Sequence, residues 1–260
     1  MKNFGWTCFV AMNLFAQVVF AVPNSVIVPA GKLTAFWLRP EKANQLAVYK
    51  VGKLLVQTTQ VTNADYIKFL QQQPEWKKTG APVIYAETGY LDHFDGDYTL
   101  KLGNSSSAPV TSVTWFAARA YCESLGYRLP TINEWEYLAA ASEKVKDANK
   151  NRLFLKRILD WYVQPKEDGL PSAGSIYKNI YGLYDMHGLV WEWVEDFNSS
   201  MVSGESREDS SFNRDLFCGA GGISSGDKEN YAAFMRFAFR SSLKGNSAIW
   251  NLGFRCVKDI

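Results

Sequence analysis

Apolar residues recur at helical spacing in three short windows of this chain and elsewhere fall into irregular, aromatic-rich text. Tyr66, Phe69 and Leu70 share one face of a helix predicted from about Asn63 to Gln73, opened by Thr62 ahead of Asp65 and stopped by Pro74. Ala118, Tyr121, Cys122 and Leu125 fall at i, i+3, i+4 and i+7 and predict a second helix, with Cys122 facing inward and Gly126 as its C-terminal stop. Thr131 and Glu134 form a capping-box pair that opens a third, whose Trp135, Leu138 and Ala139 line one face. Between Pro74 and Pro109 the turn residues Gly80, Pro82, Gly89 and Asp95-Gly96 predict an extended surface excursion packed by its aromatics. The lysine-rich stretch from Glu143 to Arg157 reads as solvated, and beyond Tyr181 glycine, serine and aromatic residues interleave without a period. Neither an internal repeat nor a linker divides the chain, so one domain is expected.

Composition supports a folded globular protein: 260 residues, 47% hydrophobic and 21% charged, with nine tryptophans, thirteen tyrosines and sixteen phenylalanines. Aromatic side chains of this number supply a large apolar core even where regular structure is sparse. The formal net charge of +2 and the lack of a Lys/Arg cluster exclude a nucleic-acid partner. Residues 1–21 have a basic start, an apolar run and a small-residue cleavage site after Ala21, so they are expected to be a secretory leader and 22–260 the mature domain. The run is interrupted by Asn13 and Gln17 and is short for a membrane span, and no insertion is expected once the leader is removed. The expected location is outside the cytoplasm, in a bacterial periplasm. Cys122, Cys218 and Cys256 then remain in an oxidising compartment, which suits one disulfide and one spare thiol; with no CxxC pair, structural zinc is not expected.

The most specific stretch runs from Tyr181 to Phe197, where Trp191-Glu192-Trp193 follows an Asp185-Met186-His187-Gly188 turn. That arrangement suits neither an amphipathic helix nor an alternating strand, so periodicity did not select it. Together with Val113-Thr114-Trp115, Tyr121-Cys122, Arg128-Leu129-Pro130-Thr131, Glu134 to Tyr137, Gly182 to Met186 and Asn251 to Cys256, it resembles the formylglycine-generating enzymes, or sulfatase-modifying factors. The resemblance runs in order from about Thr59 to the C-terminus. It implies a single α+β domain, a variant of the C-type-lectin-like fold with much irregular coil.

Members of that family oxidise a sulfatase cysteine to formylglycine with a copper-binding cysteine pair. Counted back without gaps from Cys256, those two positions fall on Asp227 and Ala232 here, and neither is a soft ligand for Cu(I). The resemblance therefore implies a divergent member in which copper chemistry is not expected. It also implies a disulfide between Cys122 and Cys256, while a second family disulfide falls on Ala139 and Phe237 and is lost at both ends. The family's calcium motif has asparagine where Leu189 stands, so that motif is broken, though Glu192 remains. Calcium demands 6 to 8 oxygens and leucine offers only a carbonyl, which leaves Glu192, with Asp196 as a second metal candidate, or Glu192 bonding backbone amides instead.

Arg240, Asn251 and Trp193 are carried as substrate-binding candidates, the first two because they match cleft residues of the family; salt bridging is the rival role for Arg240. Cys218, the spare thiol, and His187 are the catalytic candidates, and a buried inert cysteine is the competing outcome for Cys218. The Gly222 to Gly226 string matches GxSxG, but no strand-to-helix elbow is expected there. Asp92 to Asp97 reads as an acidic turn or a calcium loop. Three functions follow: an exported maturation factor that binds another exported protein or a metabolite, a cysteine-independent metal or thiol oxidase, or a non-catalytic lectin-like binding module.

Overall fold

The computed structural model describes residues 24–34, 48–164, 169–198 and 228–260. The expected leader, Cys218, the GxSxG string and Asp227 lie outside these residues. Among the described residues, short strands and five helices make up an α+β fold. Strands β1 (Ser25–Val28), β4 (Leu54–Gln57) and β7 (Val257–Asp259) form an antiparallel sheet in the order β1-β4-β7, with Val26 opposite Val56 and Val56 opposite Val257. The early and late parts of the chain therefore close on each other. Val28, Leu54, Val56 and Val257 are fully buried, and these β-branched and leucine side chains give the sheet its apolar face. Strands β2 (Gly31–Thr34) and β3 (Val48–Val51) pair antiparallel as a separate ribbon. A two-residue parallel pair, β5 (Trp191–Glu192) and β6 (Leu252–Gly253), joins two of the sequence motifs directly.

The helices follow the apolar spacing. Helix α1 (Asn63–Gln72) is capped by Thr62, whose hydroxyl accepts from the Asp65 N–H at 3.2 Å, and it buries Tyr66, Phe69 and Leu70. Helix α2 (Trp115–Ser124) buries Ala117, Ala118, Tyr121 and Cys122. Gly126 follows it at φ +70°, the left-handed conformation that ends helices at low cost for glycine. Helix α3 (Ile132–Ala139) has both halves of its capping box, with the Thr131 N–H donating to Glu134 at 2.8 Å. Helices α4 (Arg152–Tyr162) and α5 (Lys228–Ser241) complete the set among the described residues.

Helix α4 (Arg152–Tyr162) corrects the reading of Glu143 to Arg157 as solvated. Asn151 caps it by accepting from the Leu153 and Phe154 N–H groups, and Phe154, Leu155 and Ile158 go into the core. Lysines and arginines on the outer face hid this stripe from a charge-based reading. The expected excursion from Pro74 to Pro109 contains one 3-10 turn at Pro74–Trp76 and is otherwise built of turns, pinned by buried Tyr90, Leu91 and Phe94.

The core centres on Tyr66, Phe69, Tyr121 and Phe254, whose rings lie 5.3 to 6.2 Å apart. Beside them a Cys122–Cys256 disulfide, Cα to Cα 5.6 Å, ties α2 to the residue just before β7 across 134 residues. Among the described residues no helix is long and apolar enough to cross a membrane.

Candidate functional site

A cleft of about 450 Å³ opens between α4, the turn before β5 and the segment before β6. Its aromatic walls are Trp161 and Tyr162 from α4, Trp191 from β5, and Trp250. Trp191 is held by a ring stack: Tyr162 lies 5.0 Å away at 20°, Phe239 of α5 at 4.5 Å and Trp161 at 5.1 Å. Such packing leaves Trp191 little rotamer freedom, so this wall is rigid. The charged side chains of the cleft neutralise one another or near neighbours. Lys156 pairs with Asp160 at 2.6 Å, and Arg157 with Glu143 at 2.8 Å.

His187 lines the cleft and is 1% exposed. Its Nε2 lies 2.9 Å from the Ala139 carbonyl, which only accepts, so Nε2 carries the proton and Nδ1 is a bare acceptor. Burial, seconded by the Arg236 guanidinium, pushes the ring's pKa down to about 3, so this tautomer persists at neutral pH. Phe154 and Trp135 meet the ring edge-on at 5.5 and 5.7 Å and fix its plane. Behind it lies a charge cluster. Arg236 grips Glu136 through Nε at 2.8 Å and Nη2 at 2.6 Å, and Arg240 Nη1 donates to the same carboxylate at 3.0 Å. Burial works to raise the Glu136 pKa, but the two guanidiniums outweigh it and hold the carboxyl below its usual range. Arg240 also sits 4.3 Å over the Trp135 ring, and its Nε and Nη2 have no hydrogen-bond partner among the described residues.

A profile described as the sulfatase-modifying factor enzyme 1-like domain, FGE-sulfatase, matches residues 11–260. The chain belongs to this family. It is 32% identical over 182 residues to the formylglycine-generating enzyme of Mus musculus, covering 59% of this chain and 45% of that one. It is 34% identical over 162 residues to the inactive C-alpha-formylglycine-generating enzyme 2 of Mus musculus, covering 58% and 49%. The chain thus spans about half the length of these relatives. The solved structure of PvdO from Pseudomonas aeruginosa superposes with a TM-score of 0.49 at 18% identity, covering 92% of this chain and 95% of that one.

Within this FGE-sulfatase domain the position expected to replace the second copper cysteine, Ala232, is 1% exposed in α5. Its methyl group offers no ligand, and its carbonyl accepts from Tyr162 Oη at 3.2 Å and Arg236 Nη1 at 3.2 Å. The two cysteines among the described residues are joined in the disulfide, so neither supplies a thiolate. Among the described residues none is arranged to form a Cu(I) site of the family's kind.

The calcium-motif residues have other work. Glu192 accepts four hydrogen bonds: from Gln60 Nε2 and Arg255 Nη2 on Oε1, and from Trp135 Nε1 and Arg255 Nε on Oε2, all at 2.7 to 2.8 Å. Side chains therefore hold it, rather than the backbone amides considered from sequence, and its acceptor positions are all taken. Leu189, at the asparagine position, has φ +61°, a left-handed conformation that asparagine adopts readily and leucine does not. Asp196 accepts from the Ile132 N–H at 2.7 Å, at the N-terminus of α3, and burial raises its carboxyl above the ordinary aspartate range. Among the described residues no group of three or more His, Cys, Asp or Glu is arranged to hold a metal. In the Asp92 to Asp97 turn, Asp97 accepts from the Thr79 N–H at 3.0 Å and Asp92 pairs with Lys101 at 3.3 Å.

Of the substrate-binding candidates, Asn251 reaches the cleft, and its carbonyl accepts the Trp191 N–H at 2.8 Å. Trp193 is 0% exposed, with its Nε1 donating to Val113 O at 2.8 Å, so the core holds it away from the cleft. Arg240 is committed to Glu136, its salt-bridging role. His187 and Asn251 are thus brought together on one cleft, while Glu192, Trp193 and Asp196 are not. Sequence reasoning missed Arg157, Trp161 and Trp250. For the first two the available signal was Phe154, Leu155 and Ile158 behind the Asn151 cap.

Proposed function

We propose that this FGE-sulfatase family member is an exported protein that binds another exported protein or a metabolite in the cleft beside α4 and assists its maturation or modification. It does this without the copper and cysteine oxidation of the formylglycine-generating enzymes. The observation that carries this reading is Ala232, a buried methyl with an occupied carbonyl where a copper-binding thiol is expected. A second support is the cleft itself, an aromatic-walled concavity of about 450 Å³ with a few convergent polar groups, the usual form of a ligand site. The leader-like composition of residues 1–21 supports the export part of this reading.

The test combines two measurements on purified mature protein. Titration with Cu(I) against a chromophoric competitor, together with an oxygen electrode, is expected to give neither stoichiometric copper nor oxygen uptake. Affinity capture from the exported fraction, followed by mass spectrometry, is expected to return a bound partner. Stoichiometric Cu(I) with oxygen consumption would restore the oxidase reading and remove this one.

A further inference from the structure

Two residues that line the cleft each carry a buried polar atom without a hydrogen-bond partner among the described residues: Nδ1 of His187 and Nη1 of Arg157. They share one neighbourhood. Phe154 packs against both side chains, with the Arg157 Cζ 6.0 Å from its ring and the His187 ring at 5.5 Å. Tyr177 does likewise, lying under Arg157 at 4.9 Å while its hydroxyl accepts the His187 N–H at 3.2 Å. Buried polar atoms in native proteins are nearly always paired, and those that are not commonly await water or a ligand.

The two atoms are of opposite kind. Nδ1 of a neutral histidine only accepts, and a guanidinium N–H only donates. A carboxylate or phosphate would satisfy Arg157 but set its lone pairs against Nδ1. An ammonium would do the reverse. An alcohol hydroxyl donates and accepts at once, and adjacent hydroxyls offer several such pairs. The charge pattern agrees, because Lys156–Asp160 and Arg157–Glu143 are already paired and favour an uncharged guest. The walls complete the description: Trp161 and Trp250 present indoles, whose negative π-faces attract the weakly positive C–H faces of a saturated ring. Planar polar side chains at the same cleft, Gln164 and Asn251, suit hydroxyl recognition as well.

We infer that the cleft binds an uncharged carbohydrate, one ring against the tryptophan wall with hydroxyls directed toward His187 and Arg157. A cleft of about 450 Å³ has room for more than one sugar ring. This inference rests on the reading of the cleft as the ligand site. The sugar is either a free saccharide or a glycan carried by an exported protein, and both present the same chemistry.

The test uses the mature chain on an array of neutral and acidic oligosaccharides and a matched peptide library, with hits followed by calorimetry. Neutral oligosaccharides are expected to bind. Trp161→Ala and Arg157→Met, both half-buried on α4, are expected to weaken binding at least tenfold in protein that still melts cooperatively. His187→Phe serves as a third variant, read only if it melts cooperatively. Treating the captured fraction with an endoglycosidase separates the sources: release of a protein partner marks a carried glycan, and retention of binding by free oligosaccharide alone marks a saccharide ligand. Binding of peptides without neutral sugars overturns the carbohydrate inference and leaves the proposed function standing. Sugar binding unaffected by Trp161→Ala and Arg157→Met also overturns it. No binding on the array and no partner in affinity capture overturns both readings.

Discussion

Arg255 and Glu192 face each other through two hydrogen bonds, Nε to Oε2 at 2.8 Å and Nη2 to Oε1 at 2.7 Å, with side-chain exposures of 0% and 1%. The pair connects the Trp-Glu-Trp strand β5 to the Gly-Phe-Arg-Cys ending of the chain, so two widely separated motifs meet in one buried ion pair. Arg255 also donates to the carbonyls of Tyr184, Thr58 and Gln57. Breaking the pair from one side leaves an uncompensated charge in the interior, which costs roughly 3 to 5 kcal/mol. Glu192→Ala is therefore expected to lower unfolding free energy by that order in urea denaturation. Pairing Glu192→Leu with Arg255→Met is expected to cost less than the sum of the single changes, and additivity would remove the pair from this role.

Glu136 is the only carboxylate hydrogen-bonded to Arg236 and Arg240 among the described residues. Glu136→Gln keeps the shape and removes the charge that offsets two buried guanidiniums. A loss of roughly 3 kcal/mol or more is expected, read as a lower denaturation midpoint. A change within experimental error would mean that solvent reaches this cluster.

The Cys122–Cys256 bond closes 134 residues of sequence separation. Reduction, or Cys122→Ser, is expected to cost roughly 2 to 4 kcal/mol, mainly by freeing the unfolded chain. Dithiothreitol should lower the melting temperature of the parent and leave that of Cys122→Ser unmoved. Loss of stability in Cys122→Ser with a parent insensitive to reductant would contradict the pairing.

Acid stability carries the sign of two buried histidines. Burial lowers His187 to about 3 and His93 to about 4, while the unfolded ring titrates near 6.5. Between those values the unfolded state binds more protons, so stability is full above about pH 6.5 and falls as pH drops toward 3 to 4. Asp196 and Glu195 oppose this, because burial raises both carboxyls and the folded state takes their protons first. The histidine share is isolated by comparison. Unfolding curves of a His93→Gln, His187→Gln double variant between pH 6.5 and 4 are expected to slope less than those of the parent, and equal slopes would locate the acid sensitivity elsewhere.

Gly253 in β6 has no room for a side chain. A Cβ there would lie 2.6 Å from the Val110 carbonyl oxygen and 3.2 Å from Val190 Cγ2. Gly253→Ala is expected to destabilise by roughly 1 to 3 kcal/mol through overpacking, measured by thermal melt.

Much of the scaffold is legible in the sequence. Thr62, Thr131 and Gly126 are local signals, each satisfying or ending a backbone run through atoms a few residues away, and the helices start and stop where they direct. The resemblance carried by the Tyr181 to Phe197 stretch led to the family and to the Cys122–Cys256 bridge. Helix α4 was not legible as such, because its outer face of lysine and arginine outweighed the short apolar stripe of Phe154, Leu155 and Ile158.

The sequence by itself determined the family, the local caps, the pairing partner implied for Cys122 and the loss of a thiol at position 232. Only the tertiary structure decided which motif residues face a cavity and which are core. Trp193 and Trp191 are two apart, yet Trp193 bonds Val113 in the interior while Trp191 lines the cleft. Glu192 between them is consumed by Arg255, Gln60 and Trp135. These roles depend on partners more than fifty residues away, and the energy of a buried charge or an indole N–H is set by what surrounds it, which no local pattern contains.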